Sequence, residues 1–373
     1  MIVGIPKEIK EFEKRVSFTP GAVSAMVGNG HGVIVERGAG EGSGFGDTLY
    51  IEAGAVMVEK KFQIYEQSDM VLHVKEPRPS EYDHIREGQI LFSNLALEAN
   101  IGLTKALMGS GAICIAWEKI EMEDGTLPVE AAMDEVKGCA AIQAGSGYLA
   151  TSRDGGGILL GGLAGVEAAT VVILGGGGVG MAAGKTACAL GAKVYILDSD
   201  VCRLRYIRDV MPPNCTSLMP TPAELRQLVA DADLIVGASI VMGPRSPVLV
   251  TKEMVKAMKK GAVIVDAAID HGGCFETSRC GTFKVPAYVA EGIMHFSPCD
   301  LPGMVPATAT RVLSCTTLPY LLEIADKGWK RASMENPHIK KAIGLAHGRV
   351  ASAALSRAFD MEFTDIDEII QAS

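Results

Sequence analysis

The clearest chemistry in the chain lies in Thr170-Val171-Val172-Ile173-Leu174-Gly175-Gly176-Gly177-Gly178-Val179-Gly180. An apolar run suited to a buried parallel strand empties into glycines and then into a helix-like segment, Met181 to Leu190. That is the layout of a turn that binds a dinucleotide pyrophosphate. Gly175 permits the tight turn, Gly177 lets backbone approach the phosphates, Gly180 lets helix and strand pack closely, and Gly178 and Val179 belong to the same cradle. The helix N-terminus then offers free N–H groups to the anion. A second apolar run, Ala192 to Leu197, ends in Asp198, where a carboxylate accepts both ribose hydroxyls of NAD and repels the 2′-phosphate of NADP. Arg203 and Arg205 keep NADP open, because a guanidinium can hold that phosphate, and Arg203 is counted among the cofactor residues. NAD is the expected cofactor. A glycine-rich surface turn shows the same letters, but not strand, glycines, helix, strand and acid in this order.

Asp270 is the second candidate. It follows the apolar run Val263 to Ala267, at the carboxyl end of a strand, where open α/β sheets place ligands. An aspartate before Gly272-Gly273 also suits a turn or a helix cap, and the residues alone leave both readings open.

The elements around these residues imply two α/β units. In the first third, apolar runs recur at Ile2 to Ile5, Val33 to Val35, Met70 to Val74, Ile90 to Phe92 and Ile113 to Ala116, with polar or helix-like segments between them. This alternation predicts a mostly parallel sheet. From about residue 130 the pattern restarts with a helix over Ala131 to Ala150, a glycine-rich stretch Ser152-Arg153-Asp154-Gly155-Gly156-Gly157, the fingerprint strand, and strands at Leu234 to Val236 and Val263 to Ala267. After Pro306 the spacing predicts only helices, at Ala307 to Lys327 and Lys340 to Phe359, in a tail that returns to complete the first unit. The expected domains are residues 1–129 with 307–373 for substrate and catalysis, and 130–306 for NAD. Two Rossmann-like doubly wound domains would then flank an active-site cleft.

Composition narrows the function. The 373 residues are 48% hydrophobic and 21% charged, enough for two cores, and the net charge of −9 gives no support to nucleic-acid or anionic-membrane binding. No near-continuous apolar twenty-mer reads as a membrane span, and the start, Met1 to Glu8, shows neither a secretory nor a transit signal. The nine cysteines are scattered without metal-ligand spacing and read as reduced, mostly buried residues of a cytoplasmic protein, with no metal site. A small-molecule substrate is expected.

Several blocks in order carry a resemblance: Ile5-Pro6-Lys7-Glu8, Arg15-Val16, Thr19-Pro20, Val74-Lys75-Glu76-Pro77, Gly161-Gly162, Gly175 to Gly180, Asp198, Val265 to Gly273, and Leu301-Pro302-Gly303 before Val305-Pro306. The chain resembles the alanine dehydrogenase and pyridine nucleotide transhydrogenase family over essentially its full length. Without membrane segments it is similar to the soluble dehydrogenase branch. The resemblance implies that Arg15 holds a substrate carboxylate and that Lys75 binds and polarises the carbonyl or imino group, roles that suit a fixed guanidinium and a desolvated ammonium. It makes Asp270 an acid/base residue beside the nicotinamide, sets Ala267 and Ile269 in the same stretch, and implies a homo-oligomer, a hexamer.

The chain departs from that family where it matters. Alanine dehydrogenases carry a proton-transferring histidine in a Tyr-Leu-His segment, and this chain reads Ser93-Asn94-Leu95-Ala96-Leu97. Loss of a positioned acid or base costs on the order of 10² to 10⁴ in rate. Where the family has Met-Ser-Glu the chain has Met133-Asp134-Glu135, and where it has Asn-Met-Pro-Gly the chain has Asp300-Leu301-Pro302-Gly303, both on the nicotinamide side in the family. Two added carboxylates imply a more acidic pocket, suited to a longer or cationic substrate; drift at solvent-facing positions is the bland alternative. His73, two residues before Lys75 on the same strand face, and His271, after Asp270, are candidates to replace the histidine, with Asp270 preferred. The expected activity is NAD-dependent hydride transfer at the C–N centre of an L-amino acid. Reductive coupling of a 2-oxo acid with an amine, cyclic-imine formation from a diamino acid, and a non-catalytic NAD sensor are the alternatives.

Overall fold

The computed structural model describes residues 1–153, 155–239 and 246–372, apart from the side chain of Ser152. The glycine-rich stretch 152–157 is therefore described in part, and Asp154 lies outside the described residues. The chain divides into two compact units, Met1–Met133 with Pro306–Ser373, and Asp134–Val305.

The first unit is built on β1 (Ile2–Ile5), β2 (Gly32–Glu36), β3 (Val56–Val58), β4 (Met70–Leu72), β5 (Ile90–Ser93) and β6 (Ile113–Ala116), and the second on β7 (Thr170–Leu174), β8 (Lys193–Leu197), β9 (Cys215–Leu218), β10 (Leu234–Gly237), β11 (Val263–Asp266), β12 (Ala287–Ala290) and β13 (Ile293–Phe296). The chain then adds β14 (Ile343–Ala346) and β15 (Arg349–Val350) to the first sheet. The spatial orders are β15-β14-β6-β5-β4-β1-β2-β3 and β12-β13-β11-β10-β7-β8-β9. In each sheet the strands on either side of the first one leave in opposite directions and pair in parallel, which is the doubly wound, Rossmann-like arrangement. Among the described residues, the antiparallel strands of the two sheets lie at the edges, β12 on β13, and β14 with β15 beside β6.

The apolar runs that read as strands are buried on both faces, as parallel sheets require. In β7, Val171 and Ile173 pack into one core layer with Val194, Ile196 and Val265, while Val172 and Leu174 pack into the opposite layer with Ile235 and Ile264. In the first unit Val71, Leu91 and Cys114 share a core with Leu345.

The tail corrects the expectation of helices alone. The helix Pro306–Glu335 contains a non-helical residue at Gly328 (φ 76°), so its first part ends near Lys327. Within Lys340 to Phe359, however, only Pro337–Ala342 and Ala353–Phe359 flank as helices, and β14 and β15 stand between them. Both residues of their two-residue connection have positive φ, His347 at 49° and Gly348 at 75°, the backbone of a tight hairpin turn. The apolar spacing of Ile343, Leu345 and Val350 is compatible with helix or strand, and this turn together with the open edge of β6 decides for strand.

The cysteine reading is corrected as well. Cys280 and Cys299 form a disulfide with Cα atoms 5.6 Å apart, a spacing ordinary for such bonds. Of the other seven, Cys114, Cys188 and Cys274 are buried, whereas Cys139, Cys202 and Cys315 are exposed.

Candidate active site

In the second unit the glycine turn takes the form its sequence demands. Gly175 has φ 104°, a conformation costly for residues with a side chain, and its N–H donates to the Leu197 carbonyl at 2.8 Å. A methyl group on Gly180 would stand 1.9 Å from the Gly175 carbonyl oxygen, so only glycine lets the helix Gly178–Ala189 start this close to β7. Among the described residues such a group on Gly177 would meet nothing within 4 Å, which leaves the backbone open to a ligand at the helix N-terminus. Val179 is buried in the core behind the turn.

Asp198 braces this turn. Its Oδ2 accepts the Gly176 N–H at 2.8 Å and its Oδ1 accepts the Asp200 N–H at 3.0 Å. Arg203 grips the same loop from outside: its Nε donates to the Gly176 carbonyl at 2.5 Å and its guanidinium lies 5.3 Å from the Tyr206 ring centroid. A guanidinium so engaged holds the loop's shape, which weakens its case as a 2′-phosphate ligand.

At the carboxyl end of β11 the chain passes through buried Ala267 into a short 3-10 turn, Ile269–His271, closed by Gly272 at φ 98°. Asp266, fully buried, ties this loop together by accepting the N–H groups of Ala268 (3.1 Å) and Cys274 (2.9 Å) and the Ser278 hydroxyl (2.5 Å). Burial pushes its carboxyl up to about 6 against those hydrogen bonds. Asp270 is thereby presented with 29% of its side chain exposed. Its Oδ2 receives Lys137 Nζ at 3.1 Å and its Oδ1 receives the Asp300 N–H at 2.8 Å. Asp300 adopts a left-handed φ of 67° just before the buried Leu301.

Lys137 was not expected from the sequence. It lies one helical turn after Asp134 on the helix Pro128–Tyr148, a spacing that sets both on one face. That helix approaches the fingerprint helix at Gly138, where a methyl group would stand 2.3 Å from the Val179 carbonyl. The contact brings the Asp134 carboxylate against Gly178, 2.7 Å from where a methyl there would be. Burial raises the Asp134 carboxyl above its ordinary value, opposed by Lys137. Lys137 is itself largely buried; burial works against its charge, but Asp270, Asp134 and Asp300 prevail and raise its pKa. The acidic group thus contains its own cation, and the reading that its carboxylates await a cationic substrate loses much of its electrostatic basis.

In the first unit Arg15 is 4% exposed and donates through Nε (2.8 Å) and Nη2 (2.5 Å) to Glu13. This fork-to-carboxylate contact orients the guanidinium. Lys75 lies half-buried beyond the end of β4, and its carbonyl accepts the Ser93 hydroxyl at 2.7 Å. Ala96 sits on an exposed turn with φ 43°. Beneath it, Glu118 accepts the N–H groups of Leu95 (3.0 Å) and Ala96 (2.8 Å). His73 is not available as a proton carrier. It is 2% exposed, past the end of β4, and fixed between the Tyr65 hydroxyl (2.7 Å) and Glu8 (3.2 Å). Glu8 also accepts the Val74 N–H at 2.6 Å, so this buried network supports the backbone leading to Lys75. His271 reaches solvent with its ring partly covered, and that loss of hydration, with the Lys137 charge nearby, lowers its pKa, opposed by Asp270.

These features define a two-unit, Rossmann-like α/β protein with a phosphate-type glycine turn. Family models described as alanine dehydrogenase/PNT, N-terminal domain and C-terminal domain match residues 4–137 and 141–353. The chain belongs to the alanine dehydrogenase and pyridine nucleotide transhydrogenase family. It is 43% identical over 371 residues to the alanine dehydrogenase of Methanococcus maripaludis, covering 99% of this chain and 100% of that one. It is 42% identical over 372 residues to that of Bacillus subtilis, covering 100% and 98%. Among solved structures, an L-alanine dehydrogenase superposes with a TM-score of 0.93 at 40% identity, covering 96% of this chain and 99% of the other. A transhydrogenase from Sinorhizobium meliloti, at 23% identity and TM-score 0.82 over 94% of this chain and 100% of its own, shares the fold.

Proposed function

We propose that the chain is an NAD-dependent amino-acid dehydrogenase that moves a hydride between the Cα of an L-amino acid and NAD. The observation that carries the reading is Asp270, presented at the carboxyl end of β11 with both oxygens engaged, in the same unit as an open glycine turn. The full-length likeness to alanine dehydrogenases supports it, and it favours this activity over reductive coupling, cyclic-imine formation or a silent sensor. The residues fit NAD: Gly177 leaves backbone open at a helix N-terminus, Asp198 ends the second strand beside the glycine turn, the position from which a carboxylate can accept ribose hydroxyls, and Arg203 is engaged by the loop.

Bound NAD supplies the hydride acceptor. Arg15 holds the substrate carboxylate, and Lys75 polarises the group on Cα. Asp270 accepts a proton from the substrate ammonium, freeing the nitrogen lone pair to assist departure of the hydride, and releases that proton to solvent; it then takes a proton from the water that adds to the imine and returns it to the departing nitrogen. Amino acid, NAD⁺ and water thus give 2-oxo acid, ammonium, NADH and a proton. Ala96 transfers none. Asp134, Ala267, Ile269, Asp300 and Leu301 border the nicotinamide side, with Ala267 and Leu301, both buried, acting through backbone and packing. No helix among the described residues is long and apolar enough to cross a membrane. We place the protein in the cytoplasm as a homo-oligomer, a hexamer by family likeness.

The test is the appearance of reduced nicotinamide with NAD or NADP and L-alanine, lysine, ornithine or arginine. Turnover with NAD and at least one amino acid is expected, and silence with all of them overturns the reading.

A further inference from the structure

We propose that Lys137 is the positioning residue for proton transfer at Asp270: its ammonium and the Asp300 N–H grip the two oxygens of that carboxylate and fix the plane in which it takes and returns a proton. The proposal rests on the reading of Asp270 as the acid/base residue. An aspartate on a solvent-facing turn is free to rotate about two bonds, and a displacement of about 1 Å can cost 10²-fold in rate. A histidine brings a rigid ring to such a task; this chain has alanine at that place and must orient its proton carrier otherwise.

The grip has two unlike jaws. On Oδ1, the Asp300 N–H at 2.8 Å is fixed by backbone: Cys299, next in the chain, is bonded to Cys280 and donates its own N–H to Gly281 at 3.2 Å, and the Asp300 carbonyl accepts from Gly303 at 2.9 Å. On Oδ2, Lys137 reaches 3.1 Å from a stem with only 12% of its side chain exposed, against 29% for Asp270. A free lysine holds about 2 kcal/mol of rotamer entropy, much of which this burial has already removed. Each carboxylate oxygen has two lone pairs, so against the described residues one remains on each, and Asp270 is the more exposed partner. Lys137 itself keeps its proton: three carboxylates favour its charged form. In the cycle the substrate ammonium gives its proton to Asp270, which becomes neutral beside an unchanged ammonium, and Asp270 then returns the proton to solvent.

The variants Lys137→Met and Lys137→Arg are compared with the wild type for kcat, KM and the pH profile of kcat. The methionine variant is expected to lose about 10- to 100-fold in kcat with KM for the amino acid changed less than about threefold. The acidic limb of its profile should move to higher pH, because removing an adjacent opposite charge disfavours the ionised form of a carboxylate. Arginine, retaining charge and donors, restores most of the rate and the original limb. A methionine variant whose pH profile and kcat match the wild type per folded molecule overturns the proposal. Independently of turnover, the NMR titration of methyl-labelled Lys137 should lie above that of ordinary lysines and fall in Asp270→Asn. If it does not respond to that change, the grip is absent. If it responds while no amino acid is oxidised, the grip stands and the dehydrogenase reading fails.

Discussion

Glu118→Gln offers a quantitative test of how the first unit supports its altered turn. The Glu118 carboxylate is 9% exposed; Oε1 accepts two N–H groups, from Leu95 and Ala96, while Oε2 is buried with no partner among the described residues. Burial, outweighing the hydrogen bond from Ala96, pushes this carboxyl up to about 7 from an ordinary 4.5. In the unfolded chain the proton leaves near 4.5, in the folded chain near 7. Between these values the folded state alone retains it, so the stability contributed by the neutral form is complete below the lower value and is lost as pH rises through the higher. The difference, about 2.5 (7 − 4.5), multiplied by about 1.4 kcal/mol per pH unit, gives a full cost of about 3.5 kcal/mol well above pH 8. Glutamine keeps the shape and an oxygen for the two N–H groups but carries no charge. The stability of the glutamine variant relative to wild type should therefore grow by about 3 kcal/mol between pH 4.5 and pH 8 and then level off. Urea unfolding followed by tryptophan fluorescence measures this in the right place, since the two tryptophans, Trp117 and Trp329, both belong to the first unit. A difference that is flat with pH, or that favours wild type at high pH, refutes the reasoning.

Two further outcomes follow from the second unit. Asp134 sets a carboxylate against Gly178 at the helix N-terminus, and a like charge beside a bound diphosphate, partly screened, costs about 1 kcal/mol. Asp134→Ser should tighten NAD about three- to tenfold at pH 8 by calorimetry. Because burial raises the Asp134 carboxyl, wild-type affinity should approach the variant's as pH falls and the carboxyl takes its proton. Gly180→Ala drives a methyl into the Gly175 carbonyl; overpacking of this kind costs about 1–3 kcal/mol, and thermal melting with NAD titration should show both lower stability and weaker binding.

Most of both doubly wound sheets was legible because a strand buried on two faces leaves a near-continuous apolar run, and because the glycine turn tolerates little substitution at Gly175 and Gly180; β13, whose run His295 interrupts, drew no expectation although it pairs in parallel with β11. The short edge strands were not legible either: Ile343-Gly344-Leu345-Ala346 reads equally as helix until the edge of β6 offers hydrogen bonds. Pairing of Cys280 with Cys299 has no mark in spacing alone. Lys137 carried half a signal, its one-turn offset from Asp134, but its partner Asp270 is 133 residues away. Glu118 and Asp266 were invisible for the same reason, since their importance lies in backbone N–H groups that only the fold brings to them.

The discontinuity of the first unit sets a timetable for synthesis. Strand β6 ends at Ala116, and its neighbour β14 begins at Ile343, 227 residues later (343 − 116). At about 5–20 residues per second, the ribosome leaves that edge unpaired for about 11 to 45 s. Throughout that interval Ile113-Cys114-Ile115-Ala116, fully covered in the finished molecule, is an apolar strand with open hydrogen bonds, the kind of edge that recruits other chains. The contiguous second unit can close on itself meanwhile, so the nascent chain is most vulnerable in the half that was made first.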